Sequence, residues 1–126
     1  MIHILLVKPW GNTWFPIGYA YLVAAWKKAG IRVDFTDLDK DTLETLSANL
    51  QQSTYTAICA GGMVASYNCL KRIMQLAHRE APDVPRVIGG PITTNIPLKY
   101  IFNDIFPKTV IRERQCLNVR FFCLDA

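Results

Sequence analysis

Three short stretches gather residues with something to offer a ligand. The first is Lys8-Pro9-Trp10-Gly11-Asn12-Thr13-Trp14-Phe15-Pro16, with Gly18 just beyond it. The second is Gly61-Gly62-Met63, with Ser66 close behind, and the third is Gly89-Gly90-Pro91. Glycine lets backbone approach another group or turn sharply where a side chain would stand in the way. The first stretch adds the large faces of Trp10 and Trp14, the amide of Asn12 and the hydroxyl of Thr13. Such groups hold and cover a ligand, and Pro9, Trp10, Gly11, Asn12, Thr13, Gly18, Gly61, Gly62, Met63, Ser66, Gly89, Gly90 and Pro91 are the candidate binding residues. No residue is assigned a catalytic role or a metal-ligating one.

The elements around these stretches explain why they belong together. Ile2 to Val7 is a nearly continuous run of Leu and β-branched residues, the pattern of a strand buried on both faces. From Ile17 the spacing turns helical, with Tyr21, Leu22, Ala25, Trp26 and Ala29 as its stripe, Lys27 and Lys28 in the last turn, and Gly30 placed to end the helix. Residues 31–38 alternate as an edge strand would. Asp41 and Glu44 have capping-box spacing ahead of a helix running to about Gln52. Residues 56–62 read as a third strand, Ser66 as the cap of a third helix with Leu70, Ile73, Met74 and Ala77 inward, and residues 86–91 as a fourth strand. Pro97 suits the first turn of a fourth helix with Leu98, Ile101 and Phe102 inward. Residues 109–111 form a weak fifth strand, and 118–124 either another strand or a tail packed on the sheet edge.

Strands alternating with helices imply an α/β fold: a doubly wound, five-stranded, mainly parallel sheet with helices on both faces. Right-handed crossovers favour the flavodoxin-like, Rossmann-like order 2-1-3-4-5. The domain is expected over 1–112, with 113–126 as a C-terminal tail or extra edge element. In such sheets ligands sit outside the carboxyl ends of the strands where the order reverses, here between strands 1 and 3. The loops at that edge are the stretches named above. The plain alternative is that tight β–α turns use glycine anyway, with Trp14 and Phe15 covering the end of the core.

Composition narrows the function. The 126 residues are 51% hydrophobic and 19% charged, enough for one sizeable core. No apolar run approaches the roughly 18 residues of a membrane span, and the opening residues lack the basic start of a signal peptide. The four Cys show no disulfide-framework spacing, so they are expected as reduced thiols in a cytoplasmic protein. The 14 basic residues against 10 acidic ones are scattered, which argues for a solvated surface rather than a nucleic-acid site.

Ligand classes can be tested against the loops. A phosphoryl-accepting receiver domain needs acids after strand 1 and an Asp after strand 3, but these strands end Val7-Lys8-Pro9 and Ala60-Gly61-Gly62. Asp37, Asp39 and Asp41 cluster after strand 2 instead and read as turn and cap residues. The dinucleotide fingerprint and the Walker loop are both absent. An FMN phosphate loop would be rich in Ser and Thr, and only Thr13 is present.

Residues 4–39 resemble the opening of the cobalamin-binding domains that precede radical SAM domains. The pattern of that family is P-x-G-x-x-Y-L-A-A-x-x-x-x-A-G-x-x-V with an Asp after strand 2. It is met at Pro16, Gly18, Tyr21, Leu22, Ala24, Ala25, Ala29, Gly30, Val33 and Asp37. Its P-D-x-P-x-V-x-G-G-P is met at Pro82, Asp83, Pro85, Val87, Gly89, Gly90 and Pro91. The resemblance runs from about residue 3 to 111 and is nearest in style to the anaerobic magnesium-protoporphyrin ester cyclases and the cobalamin-dependent radical SAM methyltransferases. Two features depart from it. The acidic G-E-G-E after strand 5 is replaced by Arg112-Glu113-Arg114-Gln115, and the iron–sulfur motif C-x-x-x-C-x-x-C is absent.

The resemblance implies a cobalamin-binding module without catalysis of its own and without an iron–sulfur cluster, serving a radical SAM domain or another protein partner. By the same resemblance the nucleotide tail threads between strands 3 and 4, with the twin glycines leaving room and Ser66 meeting phosphate or ribose. One class of cobalamin domain supplies a histidine to cobalt from the loop after strand 1; this loop has none. His3 starts strand 1, roughly 20 Å from Pro9, and His78 ends helix 3, roughly 18 Å from Ser66. The cobalamin is therefore expected base-off and histidine-off, with Trp10 or Asn12 beneath it. A flavodoxin-like FMN or nucleotide domain, and a non-binding remnant used for protein interaction, stand as the alternatives.

Overall fold

The computed structural model describes residues 1–11, 17–92, 99–100, 109–113 and 121–125. Strand β1 (His3–Lys8) runs through the middle of the sheet. Its residues Ile4 to Val7 are all buried, as an unbroken apolar run must be between two covered faces. A helix, α1 (Ile17–Lys28), leads to β2 (Arg32–Asp37), which pairs in parallel with β1 along its outer side. Helix α2 (Leu43–Gln52) returns the chain to β3 (Ala57–Gly61), on the other side of β1. A 3₁₀ turn at Val64–Ser66 and helix α3 (Tyr67–Glu80) then lead to β4 (Arg86–Gly89). Strands β5 (Thr109–Glu113) and β6 (Phe121–Asp125) complete the order β2-β1-β3-β4-β5-β6.

The expected order 2-1-3-4 of parallel strands is the one observed, with β5 also parallel to β4. Among the described residues the sheet has six strands, where five were expected. Residues Phe121–Asp125 form a strand antiparallel to β5. The fourth helix falls mostly outside the described residues: Pro97, Leu98, Ile101 and Phe102 lie there, while Lys99 and Tyr100 are helical.

Registers show which side chains share a face. Leu5, Val7, Ile58, Ala60 and Ile88 point to one side, where α2 contributes Leu46 and Leu50 and α3 contributes Leu70, Ile73, Met74 and Ala77 to a single core. Each of those residues is at most 5% exposed. At roughly 1.5–3 kcal/mol per fully buried aliphatic side chain, this layer is the main source of stability. Ile4, Leu6, Phe35, Cys59 and Val87 point to the other side, where Tyr19 of α1 packs on Phe35.

Two local readings are corrected. The cap of α2 is Thr42, whose hydroxyl accepts from Thr45 N at 3.3 Å, rather than Asp41. Both residue types cap well, so the choice turned on one position of register. In α1 the half-buried line is Tyr19, Val23 and Trp26, whereas Tyr21, Leu22, Ala25 and Ala29 of the expected stripe are exposed. Residues 17 to 26 are apolar all round apart from tyrosine hydroxyls, so their periodicity carried no contrast to single out a face. No helix among the described residues is long and apolar enough to cross a membrane.

Candidate functional site

The carboxyl ends of β1 and β3, where the strand order reverses, bring together candidates from all three stretches. Gly61 pairs with Gly89 across β3 and β4. A Cβ on Gly61 would lie 2.5 Å from the Gly89 carbonyl oxygen, so a glycine there is a condition of the two strands lying side by side. A Cβ on Gly62 would lie 3.1 Å from Ser66 Oγ and 3.4 Å from Pro9 Cγ, which puts the first and second loops in contact. Gly90 has φ +86°, and its Cβ would lie 3.2 Å from Gly62 N. The third loop is thus laid on the second, and Ile92 N donates to Gly62 O at 2.9 Å to hold it there.

These packings give the glycines a role within the protein itself. Gly61, Gly62 and Gly90 let three stretches of backbone touch one another, and the resulting edge is built of main chain. Ser66 stands beside it as the first-turn neighbour of α3, and its side chain makes no capping hydrogen bond to the helix. Met63 is exposed at the same edge, 61% accessible. Pro91 is exposed one residue past Gly90, and Gly89 is half-buried. Gly18 lies apart from this cluster in the first turn of α1, where a Cβ would meet nothing within 4 Å. Asn12 and Thr13 lie outside the described residues.

The first loop is anchored by residues the sequence reading had left as a strand end and a turn. Lys8 is buried, 3% exposed, and its Nζ lies 2.5 Å from Asp39 Oδ2 and 3.2 Å from Asp37 Oδ1. Burial alone would lower the pKa of this ammonium, but the hydrogen bonds and charges of Asp39 and Asp37 outweigh it and hold it above the usual 10.5. Asp39 Oδ1 accepts from Gly11 N at 2.8 Å, and Trp10 N donates to Cys69 Sγ at 3.3 Å. Trp10 is half-buried and packs against the core, so part of its face is already covered by the protein. Burial pushes the Cys69 thiol up to about 11.

Tyr19 is the other residue the pattern missed. Reaching from α1, its hydroxyl accepts from Gly61 N at 3.0 Å and donates to the carbonyl of Gly61, with Val7 O 3.3 Å away. It therefore ties the ends of β1 and β3 together at the point where they part. Its burial raises the phenol pKa well above the ordinary tyrosine value. The two histidines lie elsewhere. His3 Nε2 is 2.9 Å from Asp34 Oδ2 at the start of β1, and His78 is exposed in the last turn of α3. Among the described residues no cluster of three or more His, Cys, Asp or Glu could hold a metal ion.

A parallel sheet of order 2-1-3-4, with three loops gathered at its switch point, places the chain in the Rossmann-like class of α/β domains. The chain belongs to the B12-binding family: the family model described as B12 binding domain matches residues 4–113. Among solved structures it is similar in fold to a novel cobalamin-binding protein from Desulfitobacterium hafniense DCB-2, with a TM-score of 0.66 and 11% identity. That match covers 86% of this chain and 52% of the other, so the chain spans about half the length of that relative. No curated protein matches the sequence.

Proposed function

We propose that the chain binds cobalamin without a histidine ligand to cobalt and serves as the cofactor-carrying module of a larger enzyme system of the radical SAM type. Membership of the B12-binding family supports the cofactor. The observation that carries the binding mode is the main-chain edge at Gly61, Gly62, Gly89 and Gly90 with Ser66 beside it. Ser66 makes no capping bond, so its hydroxyl is placed for a ribose or phosphate oxygen of the nucleotide tail. The amino end of α3 adds the favourable end of a helix dipole for an anion. Trp10, held by Cys69, and the loop held by Asp39 then stand where the corrin would rest. Bound cobalamin supplies a cobalt centre able to carry a methyl group or change oxidation state. The protein's part is to orient it and to shield one face.

The histidine-free mode is supported by the places of His3 and His78, one paired with Asp34 at the far end of β1 and the other at the carboxyl end of α3. The test is incubation with hydroxocobalamin, desalting and an absorption spectrum. Retention of the corrinoid bands at about one equivalent is expected. A colourless protein after desalting would remove the proposal, and a yellow fluorescent one after flavin incubation would favour FMN in its place.

A further inference from the structure

Trp10 is bracketed by two amides that both point into the protein. Its own N donates to Cys69 Sγ in the first turn of α3 at 3.3 Å, and the next amide, Gly11 N, donates to Asp39 Oδ1 at 2.8 Å. A residue whose two flanking peptide planes are both held has its φ and ψ fixed, because these are its only soft backbone dihedrals. The direction in which the Trp10 side chain leaves the backbone is then fixed as well. Gly11 turns the chain away with φ +88°, and a Cβ there would meet nothing within 4 Å, so this glycine serves the turn and not a close packing.

Asp39 is held more firmly than a loop acceptor requires. Leu38 N donates to Lys8 O at 3.0 Å, so the β1–β2 pairing continues to the residue just before it. Asp39 N donates to Asp37 Oδ1 at 3.0 Å, and Asp39 Oδ2 lies 2.5 Å from the Lys8 ammonium. Taking a charged pair out of water has a desolvation cost that its attraction does little more than offset. What such a pair does supply is a fixed geometry. From this arrangement we infer that Asp39 is a positioning residue for cobalamin: acting through Gly11, it holds Trp10 in its ligand-facing orientation before the corrin arrives. The inference rests on the cofactor proposed above. A loop ordered in advance has less conformational freedom left to lose on binding.

The position calls for a carboxylate. One oxygen accepts from an ammonium and the other from a main-chain amide. Asparagine offers one acceptor oxygen and an NH2 group that can only donate. Asp39→Asn therefore keeps the shape of the side chain, yet in either orientation it sets a donor against a donor. Removing the ammonium lifts that conflict. In Lys8→Met/Asp39→Asn the new amide oxygen is free to turn to Gly11 N.

The test is titration of the full chain and its variants with hydroxocobalamin, read from the absorption spectrum, with far-ultraviolet dichroism to check folding. Asp39→Asn should bind about tenfold more weakly, the scale of one lost hydrogen bond. Made in a Trp10→Ala background, the same change should weaken binding less than about twofold, because Asp39 acts through Trp10. Lys8→Met/Asp39→Asn should recover most of the lost affinity, and Asp41→Asn, which removes a neighbouring charge, should match the parent chain. A purely structural role would give neither the recovery nor the dependence on Trp10. An equal loss in both backgrounds, or an Asp39→Asn chain that binds like the parent, would overturn the inference and leave the cofactor in place. Should Asp39→Asn fail to fold, the double variant decides: weak binding by it, or its own failure to fold, overturns the inference. A parent chain that takes up no hydroxocobalamin would remove the cofactor reading and this inference with it.

Discussion

The Lys8 ammonium is enclosed between two carboxylates, and one of them, Asp39, holds the next loop as well, accepting from Gly11 N at 2.8 Å. Strand end and loop therefore share one support. Lys8→Met removes the cation and leaves two close carboxylates facing each other. The expected cost is about 3 kcal/mol in urea unfolding, at the lower end for breaking a buried ion pair because both carboxylates are partly exposed. The pH dependence has a definite sign. A group whose pKa is raised on folding contributes its full stability below the unfolded value and loses it as pH rises through the folded one. The Lys8 contribution should be constant at neutral pH and fall only above about 10.5, and Lys8→Met should lack that alkaline fall.

Gly61→Ala and Gly90→Asn should behave differently. The first drives a Cβ to 2.5 Å from a backbone oxygen and should cost more than about 2 kcal/mol, or prevent folding. The second keeps a residue type that tolerates positive φ and should cost about 1 kcal/mol. If the nucleotide tail runs along this edge, Gly90→Asn protein should still fold yet retain less hydroxocobalamin on desalting. Equal retention would place the tail elsewhere.

Tyr19→Phe deletes the hydroxyl that joins Val7, Gly61 and α1 while keeping the ring against Phe35. A loss of about 1–3 kcal/mol is expected from denaturant titration, because the Gly61 amide is left without its acceptor. Hydrogen exchange at Gly61 should rise in the same variant, and an unchanged exchange rate would show that β1 supplies the restraint instead.

His3→Ala and His78→Ala should leave the absorption of the bound corrinoid unaltered. In the Co(II) state, electron paramagnetic resonance should show no nitrogen superhyperfine splitting from a protein ligand in either variant or in the parent chain. A splitting that vanished with one histidine would reverse the proposed binding mode.

Much of the fold was legible because its signals were local and strong. An unbroken apolar run at residues 2–7 marked the central strand, and alternation at 31–38 marked the edge. The glycine pairs marked the ends of β3 and β4, and the topology carried them to one place. What the sequence withheld was long-range. Nothing in the order of residues shows that Lys8 will be neutralised by Asp37 and Asp39, whose positions follow a crossover of nearly thirty residues. Those acids read naturally as turn residues. Tyr19 was overlooked because α1 has no polar face to contrast with an apolar one, so Tyr21 fitted the spacing equally well. The antiparallel β6 was not decidable from a short apolar stretch, which suits a strand and a packed tail alike.

The central position of β1 also bears on how the chain comes together. Its two neighbours are β2 and β3, so the first strand made is satisfied on one side by residues 32–37 and on the other only by residues 57–61. A nascent chain stopped short of about sixty residues would therefore expose one bonding edge of an apolar strand. Pairings over such sequence separations carry a loop-closure cost before they return any contact energy. Folding should be limited by the joining of β1 to β3, and the ligand edge comes into being in that same step.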